Sequence, residues 1–234
     1  MSKIFVTGDT HGEIDIKKLS SENFQIGDSL TKNDYVVILG DFALPFSNEE
    51  NKEERYWLDW LSNRKWTTLV VDGNHENFDR LNSNTIIQMF GNDVGVIAKD
   101  IFHLKRGKVY DIAGEKIFVM GGASSIDKSR RIQGVSWWPE EVPSYKEFND
   151  AFSELDKFNW NVDYVFSHTS PLSVLKSMFT EIYNDPTSHG LDTIAENLFF
   201  KEWFFGHFHE EKRYIRLDKF RGTFHCLYES IVQI

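Results

Sequence analysis

The stretch IFVTGDTHG, residues 4–12, joins a short apolar run to a turn that carries a carboxylate and an imidazole. Four later stretches repeat this plan of an apolar run ending in polar side chains, namely YVVILGD (35–41), TLVVDGNHE (68–76), YVFSHTS (164–170) and WFFGHFH (203–209). Continuous apolar runs of this length are typical of strands that are buried on both faces. Because open α/β sheets place their sites at the carboxyl ends of the strands, we expect the polar residues to gather there.

The segments between and after these runs complete the predicted fold. Residues 48–64 and 144–158 read as helices with apolar residues at helical spacing, and Ser144 with Glu147 forms a capping-box pattern at the start of the second. Residues 109–122 read as a hairpin, and residues 213–234 offer two or three further strands. We therefore expect a single α/β domain over residues 1–234, with a second, more antiparallel sheet.

Residues 124–143 have few periodic apolar residues, two adjacent tryptophans and two prolines. A loop of this length inside a compact domain is often functional, so we interpret the segment as a lid or loop insertion. Trp137 and Trp138 within it favour packing of the loop onto the core, and stacking on a nucleobase is the less favoured alternative.

Composition and charge limit the partners. The chain has 234 residues, 41% of them hydrophobic, and a formal net charge of −10. Such a surface repels a long nucleic-acid duplex, whereas small or metal-neutralised anions remain compatible with it. Cys226 is the only cysteine, which excludes an intramolecular disulfide and suits a reducing compartment. With neither a leader-like start nor an apolar run of membrane-spanning length, we expect a cytoplasmic protein that does not enter a membrane.

The polar residues after the five runs have the chemistry of metal ligands. Asp9 and His11 lie two positions apart in one glycine-flanked turn, and a carboxylate such as Asp41 has two oxygens that can bridge two cations. Alternate side chains of an extended segment share a face, so His207 and His209 can reach one site. Oxygen and imidazole ligands without sulfur suit Mn²⁺, Fe or Zn²⁺, and Mn²⁺ is our first candidate.

The ordered set GDTHG, GDF, GNHE, SH and GHFH, spread over residues 8–209, resembles the five signature blocks of the calcineurin-like metallophosphoesterase superfamily. The resemblance implies a two-sheet α/β/β/α sandwich with a dinuclear metal centre. By position in the motifs, one ion would be held by Asp9, His11, Asp41 and His209, and the second by Asp41, Asn74, His168 and His207.

The function implied is metal-dependent hydrolysis of a small phosphomonoester or phosphodiester, with nucleotides among the candidates. Two ions can activate a water for attack on phosphorus and stabilise both the attacking and the leaving oxygen. His75 resembles the family's non-ligand catalytic histidine, and as a general acid it would protonate the leaving group. Glu76 or Asp79 is a candidate to orient its imidazole.

The motifs themselves contain no lysine or arginine that could bind the phosphate group of the substrate. Protein phosphatases of this superfamily carry an Asp-Arg pair shortly after the second motif, whereas residues 43–47 read ALPFS. Substitute cations are Arg80, and Lys128, Arg130 or Arg131 in the loop, where a guanidinium fork can bind phosphate oxygens. For Arg130 and Arg131, a solvated surface role is the favoured alternative.

Other histidines and other functions complete the expectations. His103, His189 and His225 lie outside the motifs and read as structural or surface residues, and Asp72 reads as a strand-end carboxylate. A nuclease of the same superfamily is one alternative function, although the net acidity disfavours it. A scaffold on the same fold is another, although the complete ligand set and His75 disfavour it.

Overall fold

Two β-sheets pack face to face in the structure, a computed structural model that describes residues 2–234. Within these residues the strands are β1 (Ile4–Thr7), β2 (Tyr35–Leu39), β3 (Thr67–Val71), β4 (Ile86–Met89), β5 (Asn92–Ala98), β6 (Ile101–Leu104), β7 (Lys108–Ile112), β8 (Glu115–Met120), β9 (Tyr164–Ser167), β10 (Glu202–Phe205), β11 (Lys212–Ile215), β12 (Thr223–Cys226) and β13 (Ile231–Gln233). The α-helices are α1 (Lys52–Ser62), α2 (Phe78–Ser83), α3 (Tyr145–Lys157), α4 (Leu172–Met178) and α5 (Pro186–Asn197).

The first sheet has seven strands in the order β13-β1-β2-β3-β6-β5-β4, and the second has six in the order β11-β12-β10-β9-β8-β7. Strands β1, β2, β3 and β6 run parallel in the first sheet, and β12, β10, β9 and β8 run parallel in the second. Antiparallel pairing is confined to the remaining strands at the sheet edges. The expectation of a more antiparallel second sheet is therefore wrong, because helices between its central strands supply parallel crossovers.

Alternation along the strands divides the core into three layers. Val37 and Leu39 of β2 face the second sheet and share one cluster with Phe166 and Phe204. Val36 and Ile38 face the other way and pack with Trp57 and Leu61 of α1. The outer face of the second sheet, including Phe118, Val165 and Trp203, is covered by Leu155 of α3 and Ile194 of α5. This is the expected α/β/β/α sandwich in a single domain.

The local predictions hold where the pattern was strong. The helix predicted over 48–64 is α1, with the Asn51 side chain as its N-cap, and the helix predicted over 144–158 is α3. Both reciprocal bonds of the capping box between Ser144 and Glu147 are present. The predicted hairpin is formed by β7 and β8, and the C-terminal segment supplies β11 to β13. No helix within residues 2–234 combines the length and apolar character needed to cross a bilayer.

The segment 124–143 lies over the carboxyl ends of the strands with only two short 3-10 turns, at residues 128–130 and 139–141. It is fixed by Trp138, which is 2% exposed and packs with Phe78 and Leu81 of α2. The packing role expected for Trp138 is thereby confirmed. Trp137 is half-buried, and the Lys128 ammonium lies 5.3 Å from the centre of its ring. The role of the segment as a lid stays a prediction.

Candidate metal centre

The polar residues that follow β1, β2, β3, β9 and β10 meet at one edge of the sandwich. Asp9, His11 and His209 form one group in which one ligand atom of each lies within 4.8 Å of the others, and Asp41, His168 and His207 form a second. The five motifs are spread over residues 8–209 of the sequence, but they lie next to one another in the structure. The structure brings together every residue that the sequence suggested as a metal ligand.

In the first group, the ligand atoms surround one oxygen of Asp9. The Nε2 atoms of His209 and His11 lie 3.3 and 3.9 Å from Asp9 Oδ2, and His11 Nε2 lies 3.6 Å from Asp41 Oδ2. In the second group, His168 Nε2 lies 3.3 Å from Asp41 Oδ1, 3.0 Å from Asn74 Oδ1 and 3.1 Å from His207 Nδ1. Asp41 therefore presents one oxygen to each group.

The backbone at this edge is bent so that the side chains converge. His11, Asp41, His207 and His209 all have positive φ values, of 44°, 46°, 69° and 51°. Non-glycine residues in this region each cost about 1–3 kcal/mol, and such strain is concentrated at functional sites. Gly40 (φ 96°) allows the chain to pass close to a candidate ligand, because a Cβ atom there would lie 2.1 Å from His168 Nδ1.

The residues fit a divalent cation. Asp9 is fully buried, yet its Oδ2 atom accepts no well-aligned hydrogen bond from the residues that the structure describes, although His209 Nε2 lies 3.3 Å away. Burial lowers the pKa of His168, but Asp41 and Asp9 outweigh it and raise the pKa to about 10. His11 shows the same balance, and the Asp41 and Asp15 carboxylates raise its pKa to about 9. The local potential thus favours positive charge, and imidazole and carboxylate donors are suited to bind it as a metal ion.

Two residues that the sequence analysis missed hold the histidines of the first group. Asp15 Oδ2 lies 2.7 Å from His11 Nδ1 and accepts a hydrogen bond from the Tyr228 hydroxyl at 3.2 Å. The Tyr228 ring stacks on His209, with ring centres 4.7 Å apart. A carboxylate on Nδ1 leaves Nε2 of His11 directed at the candidate metal position. Asp15 was detectable as the carboxylate four residues after His11, whereas nothing in the sequence pointed to Tyr228.

A second chain of hydrogen bonds orients Asn74. Its Nδ2 atom donates to Ser125 Oγ at 3.0 Å, and Ser125 Oγ donates to Glu141 Oε2 at 2.8 Å. Glu141 is fully buried, and its Oε1 accepts from the Ser125 amide at 2.8 Å and lies 2.7 Å from Lys128 Nζ. Ser125 and Glu141 come from the two ends of the segment 124–143. That segment therefore directs the Asn74 carbonyl oxygen toward His168.

His75 lies beside the two groups without belonging to either. Its amide donates to Asp41 Oδ1 at 2.8 Å, and its half-buried ring faces the guanidinium of Arg131, whose Nη1 and Nη2 lie 2.9 and 3.2 Å from the ring nitrogens. Burial lowers the pKa of His75, the Asp41 carboxylate raises it, and the Arg131 charge lowers it further. A neutral imidazole, which can accept a hydrogen bond from Arg131, is favoured in this arrangement.

The partners expected for the His75 ring are different in the structure. Both oxygens of Glu76 accept backbone bonds instead, from the amides of Phe42 at 2.9 Å and Ala43 at 3.0 Å. Asp79 accepts from Trp138 Nε1 at 2.8 Å. The expectation that Glu76 or Asp79 orients His75 is therefore wrong, and Arg131 is the side chain that contacts it.

The three arginines suggested for phosphate binding lie in different environments. Arg131 faces His75 and is held by a 2.8 Å contact from its Nε to Asp127 Oδ2. Arg130 is exposed and does not line the cavity beside the two groups. Arg80 is bound to Glu54 of α1 at 2.6 Å and to the Ser47 carbonyl at 2.7 Å, so the structure places it in a helix contact instead of the cavity.

The remaining histidines have structural partners. His103 Nε2 lies 3.0 Å from Asp72 Oδ1 in the core, His225 stacks on Phe204, and exposed His189 contacts Asn184. None of these three histidines lines the cavity of about 500 Å³ that opens beside Asp41, Asn74, His75 and His207. That cavity is the space in which a substrate can reach both groups of candidate ligands.

One protein family and several solved structures are similar to this chain over most of its length. A family model described as calcineurin-like phosphoesterase matches residues 2–211. Among solved structures, phosphopantetheinyl hydrolase from Mycobacterium tuberculosis is 15% identical, with 97% of this chain and 89% of that chain covered and a TM-score of 0.48. A candidate 5′-nucleotidase from Staphylococcus aureus is 14% identical, with 95% of this chain covered and a TM-score of 0.51.

This chain spans 48% of the length of the Staphylococcus aureus chain. A further solved structure is 13% identical, with 94% of this chain and 89% of that chain covered and a TM-score of 0.53. At identities this low, the last two similarities concern the fold alone. No protein of curated function matches the sequence significantly.

Proposed function

The chain belongs to the calcineurin-like phosphoesterase family and is a metal-dependent phosphoesterase, and from that premise we propose that it hydrolyses a small phosphomonoester or phosphodiester at a dinuclear centre. The observation that carries the proposal is the position of Asp41, whose two oxygens face the two separate groups of candidate ligands. A shared carboxylate is the arrangement that holds two cations close together.

We assign the ligands as the sequence motifs suggest. Asp9, His11, Asp41 and His209 hold one ion, and Asp41, Asn74, His168 and His207 hold the other. Bound divalent ions polarise a phosphoryl oxygen and lower the pKa of a coordinated water. The donor set of imidazole, carboxylate and amide groups supports Mn²⁺ as the first candidate, with Fe or Zn²⁺ as alternatives.

His75 and Arg131 act on the substrate from a position beside the two groups of candidate ligands. The Arg131 guanidinium binds phosphoryl oxygens, and Asp127 keeps it in position. A phosphate between Arg131 and His75 replaces the contact between them, and its negative charge favours the protonated imidazole. His75 then donates its ring proton to the oxygen of the leaving group. The substrate itself thus prepares the general acid.

Substrates with a single small organic group fit the cavity better than polymers do. Arg131 is the only lysine or arginine among the described residues that line it, and the net charge of −10 opposes a long polyanion. These two observations disfavour the nuclease alternative, and the unpartnered buried oxygen of Asp9 disfavours a scaffold that binds no metal. Cys226 is free and buried, which is compatible with the cytoplasm, our proposed compartment.

The experiment compares hydrolysis of 4-nitrophenyl phosphate and bis(4-nitrophenyl) phosphate with Mn²⁺ added and with a chelator present. We expect turnover with Mn²⁺, loss of turnover with the chelator, and loss in Asp41→Asn, since that substitution removes the shared charge. Asp218→Asn, at an exposed position, is the matched control and should keep full activity. Turnover by Asp41→Asn equal to that of the control would refute the proposal, and the preferred ester separates a monoesterase from a diesterase.

A further inference from the structure

The cavity beside the candidate metal centre has an aromatic wall. Phe208 lies between the two histidines of the GHFH motif, and its ring contacts the His207 ring edge-on at 4.7 Å between centres. The Phe179 ring packs on Phe208 at 5.3 Å, and Leu175, Ile182 and Tyr183 extend the apolar lining. An apolar surface therefore begins at a candidate metal ligand and continues along the segment that follows α4.

Phe179 and Phe208 are only half-buried, so their rings present surface to the cavity. Apolar side chains that face a cavity of about 500 Å³ can remove a ring or alkyl group of similar size from water. The cavity volume exceeds what a phosphate group alone requires. The organic part of the substrate is the group that can fill the rest.

The cavity is lined by one cationic side chain and by several carboxylates. Arg131 is the only lysine or arginine among the described lining residues, and Asp127 pairs with it. Glu181 and Asp185 lie in the segment that forms the aromatic wall, and no lysine or arginine lining the cavity faces them. A second anionic group on the substrate would lie near these carboxylates without a further lysine or arginine of the lining to neutralise it, and that contact is unfavourable.

We propose, on the basis of the phosphohydrolase function above, that the cavity selects phosphoesters whose single phosphate is joined to an aromatic or bulky apolar group without further negative charge. The phosphate lies between Arg131 and the candidate ligands, and the organic group lies against Phe179 and Phe208. This class excludes bisphosphates and substrates with a distant carboxylate.

Binding of phosphonates, which are not hydrolysed, tests the inference separately from catalysis. The dissociation constants of ethylphosphonate, 2-phenylethylphosphonate and 2-(4-carboxyphenyl)ethylphosphonate are measured by calorimetry on the full chain loaded with Mn²⁺. The phenyl compound should bind at least about tenfold more tightly than the ethyl compound, because its ring is removed from water. The carboxyphenyl compound should bind at least about threefold more weakly than the phenyl compound.

Two variants, each with a control, test which residues cause these differences in affinity. Phe179→Ala should reduce the preference for the phenyl compound to about threefold or less, whereas Phe199→Ala, at a 47% exposed position outside the cavity, should leave it unchanged. Glu181→Gln should narrow the gap between the phenyl and carboxyphenyl compounds, whereas Glu196→Gln on the exposed face of α5 should not.

Equal affinity for the ethyl and phenyl compounds, or no binding of either, would overturn the inference. A preference that survives Phe179→Ala unchanged would overturn it as well. The proposed function fails on different grounds: a protein that binds these phosphonates in the expected order but hydrolyses no ester would retain the specificity site and lose the assigned activity.

Discussion

Replacing Ser125 by alanine removes one atom from the chain of hydrogen bonds that orients Asn74. Ser125 Oγ accepts from Asn74 Nδ2 at 3.0 Å and donates to Glu141 Oε2 at 2.8 Å. Alanine is smaller than serine and fits the site without a clash. Because Ser125 is only 7% exposed, water has little access to the space that the hydroxyl leaves. The substitution therefore tests whether Asn74 depends on this support to bind the second ion.

The substitution should affect metal binding and stability by different amounts, because two different hydrogen bonds are lost. A neutral hydrogen bond contributes about 1 kcal/mol, so loss of the Asn74 contact should weaken binding of the second ion by about fivefold. Glu141 Oε2 loses its donor in the buried interior, although Oε1 keeps the Ser125 amide and Lys128. This loss should lower the free energy of unfolding by about 1–2 kcal/mol with or without metal.

Calorimetric titration with Mn²⁺ measures the two binding steps, and urea unfolding of the metal-free protein measures the stability. In Ser125→Ala one of the two binding steps should weaken by about fivefold and the other should stay unchanged. The neighbouring Ser124→Ala is the control, since Ser124 contacts Lys128 at 3.2 Å but not Asn74. A variant that loses stability but binds both ions as tightly as the unmodified protein would refute the orienting role of Ser125.

Three further substitutions test the proposed mechanism. His75→Ala should keep its metal content, while its turnover of an ester with a poor leaving group falls by about 10²-fold or more. With an ester that has a very good leaving group, part of the activity should return. Equal turnover by His75→Ala and the unmodified protein would contradict the role of His75 as a general acid. Arg131→Gln removes a charge that lowers the pKa of His75. Activity that needs the protonated imidazole is lost as pH rises through that pKa, so the basic limb of the kcat/KM profile should move to higher pH in Arg131→Gln. The control Arg130→Gln should leave the limb in place. An unmoved limb in Arg131→Gln would contradict the contact between Arg131 and His75. Gly40→Ala should abolish metal binding and metal-dependent activity, since the added Cβ would lie 2.1 Å from His168 Nδ1. A soluble Gly40→Ala protein with its full metal content would contradict this prediction.

The parts of the fold that could be predicted are those in which one local pattern determines the outcome. The apolar runs that end at Asp9, Asp41 and His168 are strands because their length and composition suit burial on both faces. The capping box at Ser144 starts α3 as expected, because both of its bonds form within a single turn.

Strand β4 escaped prediction because apolar residues lie on both of its faces although it is not buried on both. Ile86 is apolar but 46% exposed, whereas Ile87 and Met89 pack against the core, so the sequence does not show the alternation of polar and apolar residues that would reveal the buried face. The parallel pairing in the second sheet was missed for a related reason. The direction of β8, β9 and β10 depends on where α3, α4 and α5 return the chain, which no single segment specifies.

The candidate ligands could be anticipated because strand ends are fixed by the sheets, but their supporting residues could not. Arg131 contacts His75 while its neighbour Arg130 points to solvent, and this choice depends on the path of an irregular segment. Tyr228 reaches His209 only because β12 returns the C-terminal chain beside the GHFH turn. Such long-range contacts leave no periodic signal in the sequence.

The most direct test of the dinuclear centre is turnover measured while Mn²⁺ is added stepwise to protein stripped of metal, with bound metal counted in the same samples. We predict almost no turnover in the stripped protein and full turnover only when two ions are bound per chain, since Asp41 faces both groups of ligands. Full activity with one ion per chain, or activity in the stripped protein, would contradict this prediction.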